Sequence, residues 1–133
     1  MIRVEHIGIA MDHLDEVNDL YQKLFNKPHY KEEEVVSESV KTSFFQVGET
    51  KIEFLESSKA DGPIGKFIEK RGAGLHHIAF EVADIQEEMK RLEGEGFRFI
   101  NEAPKEGADN KLVAFIHPKS TKGVLVELCQ ERR

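Results

Sequence analysis

The chain has 133 residues, 39% hydrophobic and 33% charged, a balance that suits one soluble domain with a real core. Its formal net charge of −6 argues against nucleic acid or an anionic membrane surface as a partner. No apolar run approaches the roughly 20 residues that a membrane helix needs. The opening residues, with Arg3 and Glu5, do not read as a targeting segment, and the one cysteine, Cys129, has no second cysteine to pair with. Both lead to the expectation of a cytoplasmic protein.

In chain order, a strand is expected over 3–10, followed by a helix whose apolar stripe is Leu14, Val17, Tyr21 and Leu24. Asp12 is the expected N-cap of that helix. Strands follow at about 30–36, 40–47 and 50–56, with GET as the turn between the last two. The acidic run Glu32–Glu34 reads as a solvated strand entry. The stretch DGPIGKFIEKRGAG reads as a linker helix, with Pro63 in its first turn and Ile64, Phe67 and Ile68 on one side. A strand at 76–82 and a helix carrying Ile85, Met89 and Leu92 come next. Asp84 is the expected cap, Glu87 completes a capping box, and Gly94 and Gly96 end the helix. Three more strands are expected at 97–100, 111–117 and 123–129. Between the first two of these, NEAPKEGADN reads as a solvated hairpin loop or as a lid over a substrate.

The chain repeats itself. HIGIAMDHLDEVNDLY lies over HIAFEVADIQEEMKRL without a gap, placing His6 on His77, Gly8 on Ala79 and Leu14 on Ile85. Each half therefore reads β-α-β-β-β. The expected architecture is one α+β domain over 1–133, made of two tandem β-α-β-β-β modules that form a curved mixed sheet around a metal cleft. Module one covers about 1–57, the linker helix about 61–73 and module two about 74–133.

Strand alternation selects the candidate chemistry. Ile7, Ile9 and Met11 share one face, and His6, Gly8 and Ala10 the other. Likewise Ile78, Phe80 and Val82 fall with His76, whereas His77 falls with Ala79 and Glu81. The bulky faces are expected to pack on the helices, leaving His6 and His77 toward the cleft and His76 as a packing residue. Glu53 stands between Ile52 and Phe54, and Glu127 between Val126 and Leu128. A carboxylate inside an apolar strand is costly to bury unless it is paired or ligates a cation. Each half thus supplies one His and one Glu at nearly equal separations. Two imidazoles and two carboxylates suit a divalent first-row metal such as cobalt, nickel, manganese, iron or zinc. Four protein ligands of an octahedral ion leave two positions for the oxygens of a chelating substrate, so Lewis-acid polarisation is the expected role.

These stretches carry a resemblance. VEHIGIAMDHLDEVNDLYQKLF, VKTSFFQVGETKIEFLE, GLHHIAFEVADI and HPKSTKGVLVELCQ together make the chain similar to the vicinal oxygen chelate, or glyoxalase-like, superfamily. Within it, the likeness is to the methylmalonyl-CoA epimerase family. The resemblance implies a metal site at His6, Glu53, His77 and Glu127, with cobalt the leading candidate. It implies a 1,1-proton transfer on an acyl-CoA through a metal-stabilised enolate, and it implies a homodimer. Glu127 matches one proposed base. The position of the opposing base falls on or beside Thr42, and threonine is not a competent base, so Glu53 is the candidate for the second acid/base group. In the loop His117–Gly123, Lys119, Ser120 and Lys122 are candidates for contact with coenzyme A phosphates. Cys129 shares the face of Glu127 and reads as core.

Two rivals share the fold. Lactoylglutathione lyase uses a similar four-ligand metal, but its first strand usually carries an Arg where this chain has IGIAMD. A non-catalytic ligand-binding protein needs no inward carboxylates.

Overall fold

The structure is a computed structural model and describes residues 1–132. It divides into two compact units. One is His6–His76; the other combines Met1–Glu5 with everything described from His77 onward. Pro63–Arg71 therefore falls in the first unit, and the first residues of the chain fall in the second.

The His6–His76 unit holds most of strand β1 (Arg3–Ala10), helix α1 (Leu14–Phe25), β2 (Lys31–Val35), β3 (Val40–Val47), β4 (Thr50–Ser57) and α2 (Pro63–Arg71). β2, β3 and β4 run antiparallel in succession, and β1 lies parallel to β4. The bulky face of β1 packs on α1, as the alternation requires. Ile9 and Met11 join Leu14, Val17, Phe45 and Phe54 in one cluster. Its rings meet at 5.7 Å edge-on between Phe45 and Phe54, and at 4.4 Å between Tyr21 and Phe54. Such pairs add about 0.5–1.5 kcal/mol each beyond burial. The opposite face is closed at one end by α2, where Ile64, Phe67 and Ile68 pack with Ala10, Val40 and Leu55. Pro63 opens α2 in its first turn, as expected from its fixed φ and missing N–H.

The second unit repeats the scheme. β5 (Gly74–Glu81) lies parallel to β8 (Val126–Glu131), which pairs antiparallel with β7 (Lys111–Ile116), which pairs with the short β6 (Lys105–Glu106). Helix α3 (Ile85–Gly94) packs Ile85, Met89 and Leu92 on Val82, Ala114, Ile116 and Leu128. Asp84 caps it by accepting from the Glu87 N–H at 3.1 Å, as the sequence predicts.

Three local expectations are corrected. The N-cap of α1 is His13, not Asp12, and its side chain makes no cap bond. The Leu14 N–H donates instead to Glu56 Oε1 at 2.8 Å. A partner from β4 replaces the local cap. The stretch 97–100 is not a strand. It makes one bridge, Phe99 to Ile116, because Asn101 Oδ1 takes the Phe115 N–H that a ladder would use. Finally, 101–110 is not an open hairpin loop: it contains β6 and a 3-10 turn at Ala108–Asn110. Among the described residues no helix is long and apolar enough to cross a membrane.

Candidate functional site

Each unit builds the same arrangement around one carboxylate. In the first, Glu53 on β4 has Gly8 of β1 on one side and Phe44 of β3 on the other. His6 lies two residues before Gly8 on the same face, and its Nδ1 is 3.1 Å from Glu53 Oε2. In the second, Glu127 on β8 stands between Ala79 of β5 and Phe115 of β7. His77 lies two residues before Ala79, and its Nε2 is 3.2 Å from Glu127 Oε1. All four ionisable side chains are buried, between 4% and 7% exposed. The small residues of the repeat, Gly8 and Ala79, are thus the in-register neighbours of the two carboxylates.

The flanking phenylalanines were not singled out from sequence, where they read only as strand core. Phe44 is fully buried, and Lys31 Nζ lies 4.6 Å over its ring. Phe115 meets the His77 ring edge-on at 5.9 Å, and Lys105 Nζ lies over the Phe115 ring, 5.9 Å from its centroid. The signal that could have found them is the offset of the repeat, which sets Phe44 on Phe115 as it sets His6 on His77.

The doubled histidine separates as the alternation predicts. His76 packs edge-on against Phe67 of α2 at 4.9 Å, and desolvation by burial lowers its pKa to about 4. Thr42, at the position expected for the opposing base, is fully buried, and its hydroxyl has no hydrogen-bond partner among the described residues. Cys129 is buried with Ala79 and Val113. In the turn Pro118–Thr121, Lys119 is exposed, and so is Lys122, which follows it with φ +60°. Ser120 Oγ accepts the Arg98 N–H at 3.0 Å.

Each pair offers one imidazole and one carboxylate, donor types that suit a first-row divalent ion, and burying such an acid inside an apolar strand otherwise carries a desolvation penalty.

Two β-α-β-β-β modules define the glyoxalase fold, and here each carries a His–Glu pair in the same register. The chain belongs to the Glyoxalase/Bleomycin resistance protein/Dioxygenase superfamily, whose profile matches residues 5–115. It is 39% identical over 132 residues to an uncharacterized protein of Bacillus subtilis, covering 99% of this chain and 94% of that one. It is 41% identical over 127 residues to the mitochondrial methylmalonyl-CoA epimerase of Dictyostelium discoideum, covering 95% of this chain and 76% of the relative. Among solved structures, Streptomyces coelicolor methylmalonyl-CoA epimerase in complex with 2-nitronate-propionyl-CoA superposes with a TM-score of 0.94. The sequence identity is 29%, and 98% of this chain and 95% of that chain are covered.

Proposed function

We propose that the protein is a metal-dependent methylmalonyl-CoA epimerase, an isomerase in which His6, Glu53, His77 and Glu127 hold one divalent ion. The observation that carries this reading is the duplicated His–Glu pair, buried in the same register of both modules. The epimerase relatives supply the substrate class. A divalent ion, cobalt first among the candidates, would polarise the carboxylate and thioester oxygens of a chelating substrate.

The residues of the chain do the rest. The hydrogen between the carboxylate and the thioester leaves as a proton to one glutamate. Its electron pair passes into the thioester carbonyl, and a proton from a second group returns to the opposite face. Glu127 and Glu53 are the two groups proposed, since each is buried on the face that carries the histidines, and Thr42 offers no base. Phe44 and Phe115 beside them limit the water that reaches the carboxylates. Lys119 and Lys122 are exposed cations suited to coenzyme A phosphates, and the Ser120 hydroxyl keeps its own proton to donate. A homodimer in the cytoplasm completes the proposal.

The test is proton exchange. Metal-loaded protein incubated with methylmalonyl-CoA in deuterated water should place deuterium at the α-carbon. No uptake above background, with turnover of the glutathione–methylglyoxal hemithioacetal instead, would move the protein to lactoylglutathione lyase. Failure of both reactions, with no divalent ion bound, would leave a ligand-binding protein.

A further inference from the structure

The repeat has one break. Its offset is 71 residues from His6 on His77 to Phe44 on Phe115, but 74 at Glu53 on Glu127. Three residues are therefore inserted in the second module between the phenylalanine and the carboxylate, where β7 turns into β8. The insertion also changes the charge. In the first module β3 and β4 are joined by Gly48 and Glu49 alone. The longer turn over 117–125 carries Lys119 and Lys122 and no acid.

A third cation is fastened to this turn through its backbone. The His117 N–H donates to the Arg98 carbonyl at 2.8 Å, and the Arg98 N–H donates to Ser120 Oγ at 3.0 Å. Arg98, Lys119 and Lys122 are all exposed, and among the described residues none of them pairs with a carboxylate. The segment 97–101 is as free of acids as the turn itself. Lys122 also keeps φ +60°, a left-handed conformation that glycine or asparagine adopts with less strain. Three like charges gathered on one turn, in a chain of net charge −6, repel one another unless an anion sits among them. The turn leads directly into Glu127. Five residues separate Lys122 from that carboxylate, at most roughly 16 Å at the rise of an extended chain. An acyl-CoA likewise places a long flexible arm between its reacting carbon and its phosphates.

We propose that Arg98 is a further substrate-binding residue, whose guanidinium joins Lys119 and Lys122 in taking a phosphate of coenzyme A. The inference rests on the acyl-CoA reading above. Because the Arg98 N–H occupies Ser120 Oγ as acceptor, the hydroxyl proton of Ser120 is left to the same phosphate.

The experiment compares wild type with Arg98→Gln, which leaves the backbone bonds in place and removes the charge, and with Arg98→Lys, which keeps it. All are metal-loaded and assayed by deuterium exchange with methylmalonyl-CoA, with its 3′-dephospho form, and with the methylmalonyl thioester of pantetheine, which lacks the phosphates. With methylmalonyl-CoA, Arg98→Gln should raise KM about tenfold, the scale of one charge-assisted contact, and the effect should fall on KM and not on kcat. The pantetheine ester should show no such rise, and Arg98→Lys should recover part of the loss. A rise that persists with the dephospho ester assigns the diphosphate, and one that disappears with it assigns the 3′-phosphate. A rise below about threefold with methylmalonyl-CoA, or an equal rise with the pantetheine ester, would overturn the proposal. Should the wild type show no exchange, the epimerase reading fails separately, and equilibrium binding of coenzyme A itself decides the role of Arg98. Binding weakened about threefold or more by Arg98→Gln supports it. A smaller change, or no binding by the wild type, overturns it. Unfolding midpoints and metal content report any loss of fold in the variants.

Discussion

The two modules are alike on one face and different in what covers it. Both set a carboxylate between a small residue and a phenylalanine, with a histidine two residues along. In both, the side chain three residues past that carboxylate reaches the first N–H of the module's helix. Glu56 Oε1 accepts from Leu14 and Gln130 Oε1 from Ile85, each at 2.8 Å. The carboxylate and the helix anchor thus come from opposite faces of one strand, so moving one register moves the other. The covers differ: a helix, α2, packs its Ile64 beside Leu55 in the first module, and the edge strand next to the phenylalanine is 5 residues long in β2 and 2 residues long in β6. The His–Glu pair is duplicated, and so is a lysine over the phenylalanine beside it, Lys31 over Phe44 and Lys105 over Phe115; the helix α2 is not.

The sharpest test of the duplication is to break one pair at a time. On the proposed metal site, His6→Ala and His77→Ala should each empty it and lower epimerisation by about a thousandfold or more, because each removes one of the four proposed ligands. Metal content by elemental analysis and deuterium exchange would measure both. Full occupancy in one variant would show that a single module's pair suffices, and the symmetric reading would fail. The comparison has an asymmetry to exploit: His6 presents Nδ1 to its carboxylate and His77 presents Nε2. The two imidazoles are therefore held in different orientations, and an unequal loss of affinity would report it.

The carboxylates come next. Glu53→Gln keeps an amide oxygen for a metal but removes the acid/base function. The expected outcome is near-full metal occupancy with exchange reduced by about 10²–10⁴-fold. Retention of both full occupancy and full rate would remove Glu53 from proton transfer and reopen the identity of the second group.

How much of this the sequence made legible follows from the range of each interaction. Period-two alternation is local, so the faces of His6, His77 and His76 and the four ligand candidates could be read directly. The repeat supplied the pairing of Glu53 with Glu127. The anchor of α1 was out of reach, since Glu56 acts across 42 residues and displaces the local choice, Asp12. Asp84 was readable because its partner is three residues away. The stretch 97–100 has strand composition, yet Asn101 takes the backbone donor that a regular ladder needs. Side-chain competition of that kind leaves no periodic trace. Lys105 was hidden for the same reason, in a polar loop whose return onto β7 depends on the absence of a side chain at Gly107.

The helix anchors offer a smaller effect that sharpens the same contrast. α1 has no side-chain cap at His13, whereas α3 keeps Asp84. Glu56→Ala should therefore cost about 1 kcal/mol, and Gln130→Ala should cost less. Denaturant unfolding monitored at neutral pH measures both. Equal losses would show that the strand anchor outweighs the local cap in both modules.

The smallest effect at neutral pH is expected at His76, the neighbour of a proposed ligand and itself a packing residue. Its ring lies edge-on to Phe67, and burial lowers its pKa from the ordinary 6.5 to about 4. The folded protein therefore binds this proton less readily than the unfolded chain does. The resulting stability is fully present above about pH 6.5 and is lost as the pH falls toward about 4. His76→Gln should leave exchange at pH 7.5 close to wild type, apart from a modest packing loss. Between pH 7 and 4.5, unfolding midpoints of the metal-free proteins should fall more steeply for wild type than for the variant. Parallel slopes would mean that the His76 ring is not desolvated against α2. Loss of bound metal in His76→Gln would be more damaging, because it would place the wrong histidine of the pair on the carboxylate face.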